Sequence, residues 1–190
     1  DAPPPPRARV APQQRALPLE PSSRDRSSEH SASPRAPAPP RSVTHPDDLR
    51  GLLRSRFGFP AFRPYQEAVC RAATEGRDLL LVMPTGAGKS LCYQLPGIAR
   101  GGTTLVISPL IALMEDQSTR LSAQGFRSER IHSGRGRAES RQACVDYLAG
   151  ELDFLFIAPE RLRVPGFPEL LARRPPALIA VDEAHCISQW

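Results

Sequence analysis

The sequence predicts an α/β domain with a mainly parallel sheet, preceded by a disordered Pro- and Arg-rich tail. Three observations carry this expectation. From residue 47 onward, short apolar runs alternate with stretches of helical periodicity. The apolar runs are continuous rather than alternating, the pattern of strands covered on both faces. Residues 1–46 hold 12 of the 22 prolines and few large apolar side chains, too few to offset the entropy of ordering them. The tail is read as disordered, with polyproline runs such as 3–6. The folded domain is read as 47–190.

The elements follow in order. Asp47 and Asp48 place acids in a first helical turn, and Leu49, Leu52, Leu53 and Phe57 continue at helical spacing until Gly58. Residues 64–73 predict a second helix, opened by Pro64 and followed by Gly76. Residues 79–83 (LLLVM) predict a strand, followed by a glycine-containing turn and a helix over about 90–99. Residues 103–108 are β-rich, and Pro109 opens a helix to about Gln124. A weak strand over 130–133 precedes a helix over about 138–148. Residues 153–158 predict a strand, followed by a short helix and a further helix over 167–173. Residues 177–181 predict the last strand. Sheets of this kind bind ligands beyond the carboxyl ends of their strands, which is where the polar motifs fall.

Composition narrows the function classes. The longest apolar runs, such as 79–83 and 177–181, are five residues, against about 20 needed to span a bilayer, so no membrane span is expected. The tail has no apolar core of a signal peptide. Cys70, Cys92, Cys144 and Cys186 form no C-x-x-C pair. That spacing argues against a zinc site, and reduced, mostly buried thiols fit an intracellular protein. The net charge of +5 is mild evidence for a polyanion partner such as nucleic acid. The chain starts at Asp1 without methionine and stops at Trp190 directly after a motif, so both ends are read as cut.

Residues 83–90 (MPTGAGKS) sit between a predicted strand and a predicted helix, the context of a phosphate-binding loop. Thr85, Gly86, Ala87 and Gly88 form its turn. The glycines let the backbone approach phosphate, and successive N–H groups face the anion. Lys89 can reach the β- and γ-phosphates of a nucleotide, and Ser90 can place its hydroxyl on Mg²⁺. Lys89 is the only lysine among 25 Lys and Arg residues, which suggests that a compact ammonium is required there. The common pattern asks for glycine where Met83 stands. Residues 181–185 (VDEAH) follow the last predicted strand. There Asp182 can hold Mg²⁺, directly or through water, while Glu183 orients and deprotonates an attacking water. A capping acid pair at a helix start is the plain alternative.

Five stretches in order now resemble the first motor domain of a RecQ-family DNA helicase, within helicase superfamily 2. They are 57–67 (FGFPAFRPYQE), 83–96 (MPTGAGKSLCYQLP), 106–117 (VISPLIALMEDQ), 158–162 (APERL) and 181–190 (VDEAHCISQW). Met-Pro-Thr-Gly-x-Gly-Lys-Ser is the family's form of the loop, so Met83 is no anomaly. The resemblance covers about 47–190, not the tail, and implies a RecA-like fold. It also implies that Gln66, with Arg63 nearby and an aromatic residue on the base, recognises adenine. From spacing alone Gln66 reads as a helix-surface residue.

By the same resemblance, Ser108, Pro109 and Leu110 grip the DNA backbone, and so does Arg161 in the 159–161 stretch. Pro109 as a helix opener and Arg161 as a surface charge are the structural alternatives. His185 would link the nucleotide site to an inter-domain cleft. Gln189 and Trp190 would begin an aromatic-rich loop that couples DNA to hydrolysis. Cys92 and Tyr93 read as packing residues, and 134–136 (GRG) reads as a turn.

The resulting expectation is an ATP- and Mg²⁺-dependent 3′–5′ DNA helicase acting in recombination and repair. Its partners would be single-stranded DNA, duplex junctions and a second RecA-like domain not contained in this chain. Its place would be the cytoplasm and nucleoid of a bacterium or the nucleus of a eukaryote. The alternatives are a superfamily 2 translocase acting on RNA, and a truncated, non-catalytic nucleic-acid-binding protein.

Overall fold

The computed structural model describes residues 45–190 apart from Thr85 and Trp190, and excluding the side chains of Pro46 and Gln189. Residues 1–44 of the expected tail, Thr85 and Trp190 thus lie outside the described residues, while His45 and Pro46, read as the tail's end, cap and open the first turn.

A 3₁₀ turn, Pro46–Asp48, leads into α1 (Leu49–Phe57). Gly58 ends that helix in the left-handed conformation, at φ 72°, and its N–H returns to the Leu53 carbonyl. Helices α2 (Gln66–Thr74) and α3 (Leu91–Ala99) precede β1 (Thr104–Ile107). Then come α4 (Ile111–Ala123), β2 (Ser128–Ile131), α5 (Arg137–Ala149) and β3 (Phe154–Ile157). A 3₁₀ helix (Pro159–Arg163), α6 (Phe167–Arg173), β4 (Leu178–Val181) and a last 3₁₀ helix (Ala184–Gln189) complete the order.

The four strands form one parallel sheet in the order β2-β3-β1-β4. Thr104 stands opposite Phe154 on one side and Leu178 on the other, and Ser128 stands opposite Phe154. Side chains alternate across the sheet. Val106, Phe154 and Phe156 pack with α1, α3 and α4 through Leu53, Leu95, Met114 and Phe126. Leu105, Ile107, Leu155 and Ile157 pack on the opposite face with Tyr147 of α5 and Phe167 of α6. Both faces are therefore covered, which is why β1 and β3 read as unbroken apolar runs. Helix α3 lies very close to β1. A Cβ at Gly97 would stand 1.8 Å from the Thr104 hydroxyl, so only glycine fits there.

The strand expected at 79–83 is not formed. A strand needs an edge to pair with. The β4 edge is separated from this segment by a cleft of about 780 Å³, lined by residues of both. Leu80 and Val82 are 88% and 86% exposed, and the two outward residues of β4, Ile179 and Val181, are 59% and 41% exposed. Two smaller shifts also have local causes. Helix α2 starts at Gln66 rather than Pro64, because Tyr65 takes φ 68° and a turn from Arg63 to Gln66 uses the intervening residues. Strand β2 starts two residues earlier than expected, because Ser128 buries its hydroxyl against Ser118, 2.9 Å away.

Candidate nucleotide-binding site

The loop 83–90 folds as its composition requires. Gly86 and Gly88 take φ 79° and 87°, a region that other L-residues rarely adopt. The Ala87 N–H bonds to the Pro84 carbonyl at 3.2 Å and tightens the turn. Lys89 bends back over the loop, its ammonium 3.1 Å from the Met83 carbonyl. Ser90 precedes α3 and makes no side-chain capping bond, so helix capping does not occupy its hydroxyl.

Helix α2 clamps this loop from behind. Arg63 donates to the Gly86 carbonyl at 2.6 Å. The Gln66 amide donates to the Gly88 carbonyl at 3.1 Å and accepts the Arg63 backbone N–H at 2.8 Å. A Cβ at Gly88 would stand 2.5 Å from the Gln66 amide nitrogen, so the close approach depends on glycine. Gln66 is thus buried and bonded to the loop, not a surface residue, and both of its amide atoms are engaged. Tyr65, the neighbouring aromatic, is 83% exposed.

Asp182 follows β4 directly, and its N–H extends the ladder to the Ile107 carbonyl at 2.9 Å. Its Oδ1 accepts the Glu183 N–H at 3.0 Å and its Oδ2 accepts from the Gln117 amide at 3.3 Å. Glu183 holds φ 52°, a strained setting of the kind that clusters at working sites. Its carboxylate lies 3.4 Å from His185 Nδ1, and the His185 side chain is 74% exposed. The cleft beside β4 is lined by Lys89, Tyr93, Asp182, Glu183 and His185. Motifs about ninety residues apart in sequence therefore share one cleft, which runs along the open edge of β4 to its carboxyl end.

The donors at this loop and beside the cleft fit a magnesium-bound nucleotide. Ser90 and Asp182 offer hard oxygen donors, and open space surrounds Gly86, where no atom would lie within 4 Å of an added Cβ. No cluster of three His, Cys, Asp or Glu occurs among the described residues. Mg²⁺ in nucleotide sites needs none, since one or two protein ligands and the phosphates suffice.

The residues expected to meet DNA are less uniform. Ser108 is buried at the end of β1 with its hydroxyl unpaired, while Leu110, two residues on, is half exposed. Arg161 lies with its guanidinium over the Phe167 ring, 5.1 Å from the centroid, and its Nε is buried without a partner. The Gln189 side chain and Trp190 are outside the described residues. Among those residues the four cysteines are free, and no helix is long and apolar enough to cross a membrane.

Sequence reasoning missed Gln117 and Tyr93. The signal was a polar residue on the inward stripe of α4, at the spacing of Met114, Gln117, Ser118 and Leu121. The Tyr93 hydroxyl donates to Gln117 Oε1. Burial, and then the charge of Asp182, push the Tyr93 hydroxyl well above the ordinary tyrosine range.

The model of the DEAD/DEAH box helicase family matches residues 63–190, and the chain belongs to that family. Within it, the relatives it resembles are RecQ-type DNA helicases. It is 45% identical over 139 residues to the ATP-dependent DNA helicase RecQ of Haemophilus influenzae, covering 73% of this chain and 22% of that protein. It is 42% identical over 142 residues to the RecQ of Bacillus subtilis, covering 74% and 24%. Against the ATP-dependent helicase SGS1 of Saccharomyces cerevisiae it is 40% identical over 154 residues, covering 76% and 11%. The chain thus spans about a fifth of the length of the bacterial RecQ proteins it matches. In fold it resembles a hypothetical ATP-dependent RNA helicase from Sulfolobus tokodaii, with a TM-score of 0.59 at 18% identity over 75% of this chain and 43% of that one.

Proposed function

We propose that this chain is the ATP-binding part of an ATP-dependent DNA helicase of the RecQ type. One observation carries the reading: Lys89 of the phosphate loop and the Asp182–Glu183 pair line one cleft along the open edge of β4. The names of the relatives, DNA helicases in bacteria and yeast alike, support DNA as the substrate. By the resemblance, unwinding runs 3′–5′ and serves recombination and repair.

In this reading the loop N–H groups of 86–90 cradle the phosphates of ATP, and Lys89 exchanges the Met83 carbonyl for the β- and γ-phosphates. Ser90 and Asp182 are the residues that would hold Mg²⁺, which when bound neutralises charge developing on the phosphates. Glu183 accepts a proton from the water attacking the γ-phosphate, and His185, within reach of its carboxylate, restrains it. Arg63 and Gln66 serve adenine by giving up the loop carbonyls that they now hold. By the resemblance, Ser108, Pro109, Leu110, Arg161, Gln189 and Trp190 are the residues that meet DNA. A second RecA-like domain supplies the arginine that completes hydrolysis, which is worth about 10³- to 10⁵-fold in rate.

The test compares the 190-residue chain with the whole protein. The chain alone binds Mg²⁺-ATP weakly, binds DNA in a salt-sensitive way, and separates no strands. The whole protein unwinds duplex DNA, and single-stranded DNA stimulates its ATPase more than RNA does. Stronger stimulation by RNA would shift the reading to an RNA translocase. Unwinding by the 190-residue chain alone would overturn the two-domain reading.

A further inference from the structure

The cleft has a support that the phosphate loop and the DEAH motif do not themselves contain. Gln117 sits on α4, with 9% of its surface exposed, in a stripe otherwise made of Met114, Ser118 and Leu121. A methionine or leucine would fill that volume with no polar demand. The glutamine uses both ends of its amide instead. Its Oε1 accepts the Tyr93 hydroxyl and its Nε2 donates to Asp182 Oδ2 at 3.3 Å. Tyr93 stands on α3, one turn after Ser90. A line of hydrogen bonds therefore runs from Tyr93 through Gln117 to Asp182. It ties α3, the helix that Ser90 precedes, to Asp182, and in the reading above Ser90 and Asp182 hold the metal.

We propose that Gln117, braced by Tyr93, is a positioning residue that fixes the Asp182 carboxylate for Mg²⁺. The physical argument is one of rotation. A carboxylate on a short side chain turns freely unless its oxygens are held. Among the described residues, Asp182 Oδ1 is held by the N–H of the next residue, Glu183, which moves with it. Gln117 is the hold that comes from a separate element, and the Tyr93 proton on its carbonyl strengthens the donation from its amide. Outer-shell partners of this kind typically contribute about 10- to 100-fold in metal affinity.

The inference rests on Asp182 being a metal residue, so its test separates the two. Mn²⁺ is titrated by electron paramagnetic resonance into the 190-residue chain with ADP, and ADP affinity is measured separately in EDTA. Wild type is compared with Gln117→Met, Tyr93→Phe and Asp182→Asn. Gln117→Met keeps the volume of the side chain, and Tyr93→Phe removes one oxygen, which leaves a second reading should the first variant fold poorly. The expected result is Mn²⁺ affinity lowered about 10-fold by Gln117→Met, lowered less by Tyr93→Phe, and lowered most by Asp182→Asn. ADP affinity in EDTA stays unchanged in all of them. Loss of Mn²⁺ in Asp182→Asn with neither of the other variants moving would overturn the brace alone. Retention of Mn²⁺ in Asp182→Asn would overturn the metal role of Asp182 and the brace with it. An equal loss of ADP affinity in EDTA would show that Gln117 merely holds the fold.

Discussion

Two short, wholly apolar segments meet opposite fates in this molecule. Strand β3, Phe-Leu-Phe-Ile, is buried along its whole length between β1 and β2. Residues 79–83, Leu-Leu-Leu-Val-Met, join no strand among the described residues and leave Leu80 and Val82 in solvent. Strand β4 lies between these extremes, paired on one side and open on the other. An apolar run records how strongly a segment gains from burial, not which partner covers it. The half of the sheet from β1 to β2 supplies stability. The open half, from β4 across the cleft to the phosphate loop, carries the chemistry in the function proposed above.

The largest test of that division is thermodynamic. Phe156→Ala, deep in the packed half, should cost about 3–5 kcal/mol of unfolding free energy. Val82→Ser, on the open side, should cost less than about 0.5 kcal/mol. Urea denaturation of the two variants measures both, and a large loss from Val82→Ser would show that the segment is packed in solution.

The open half should dominate catalysis in the same measure as it fails to dominate stability. In the whole protein, Lys89→Ala should lower ATP turnover by about 10³-fold and leave the urea midpoint of this domain nearly unchanged. Glu183→Gln should keep ATP binding and lose hydrolysis. If Glu183→Gln loses both together, Glu183 is not the water-activating residue.

Hydrogen exchange sharpens the comparison residue by residue. Amides of β1 and β3 should exchange only through large-scale opening, and those of 80–82 at nearly unprotected rates. Equal protection of the two segments would remove the contrast.

The smallest effect concerns acid. The Arg130 guanidinium, 2.6 Å away, holds the Glu115 carboxyl below the usual glutamate range, with His132 on its other oxygen at 2.7 Å. A carboxyl depressed in the folded state stabilises above its unfolded pKa of about 4.3. That contribution fades as pH falls through the lower, folded value. Wild type and Glu115→Gln should therefore differ in melting temperature at pH 7 and converge below about pH 4. A gap that widens toward acid would contradict the assignment.

The sequence made the alternation of strands and helices legible because each element carried its own signal. Gly58 stops α1, and unbroken apolar runs mark β1 and β3. It made the two site motifs legible because each was read directly after an apolar run. What escaped depends on contacts distant in sequence. The start of β2 rests on Ser128 meeting Ser118 across a helix-sheet contact. The gap beside 79–83 depends on which strand lies next to β4. Gln117 looks like any polar helix residue until the fold sets Tyr93 and Asp182 at its two ends. Gln66 was placed at the site by resemblance alone, and its grip on the phosphate loop through Gly88 became visible only in three dimensions.

The central claim is that the open half of the sheet is a nucleotide site built around Lys89. Isothermal titration of ATP into the 190-residue chain, with Mg²⁺ and with EDTA, tests it most directly when paired with Lys89→Ala and Leu80→Ser. The account predicts saturable binding that Mg²⁺ strengthens, at least about 10-fold weaker binding in Lys89→Ala, and binding by Leu80→Ser that matches wild type. Equal affinity in wild type and Lys89→Ala, with or without Mg²⁺, would contradict it.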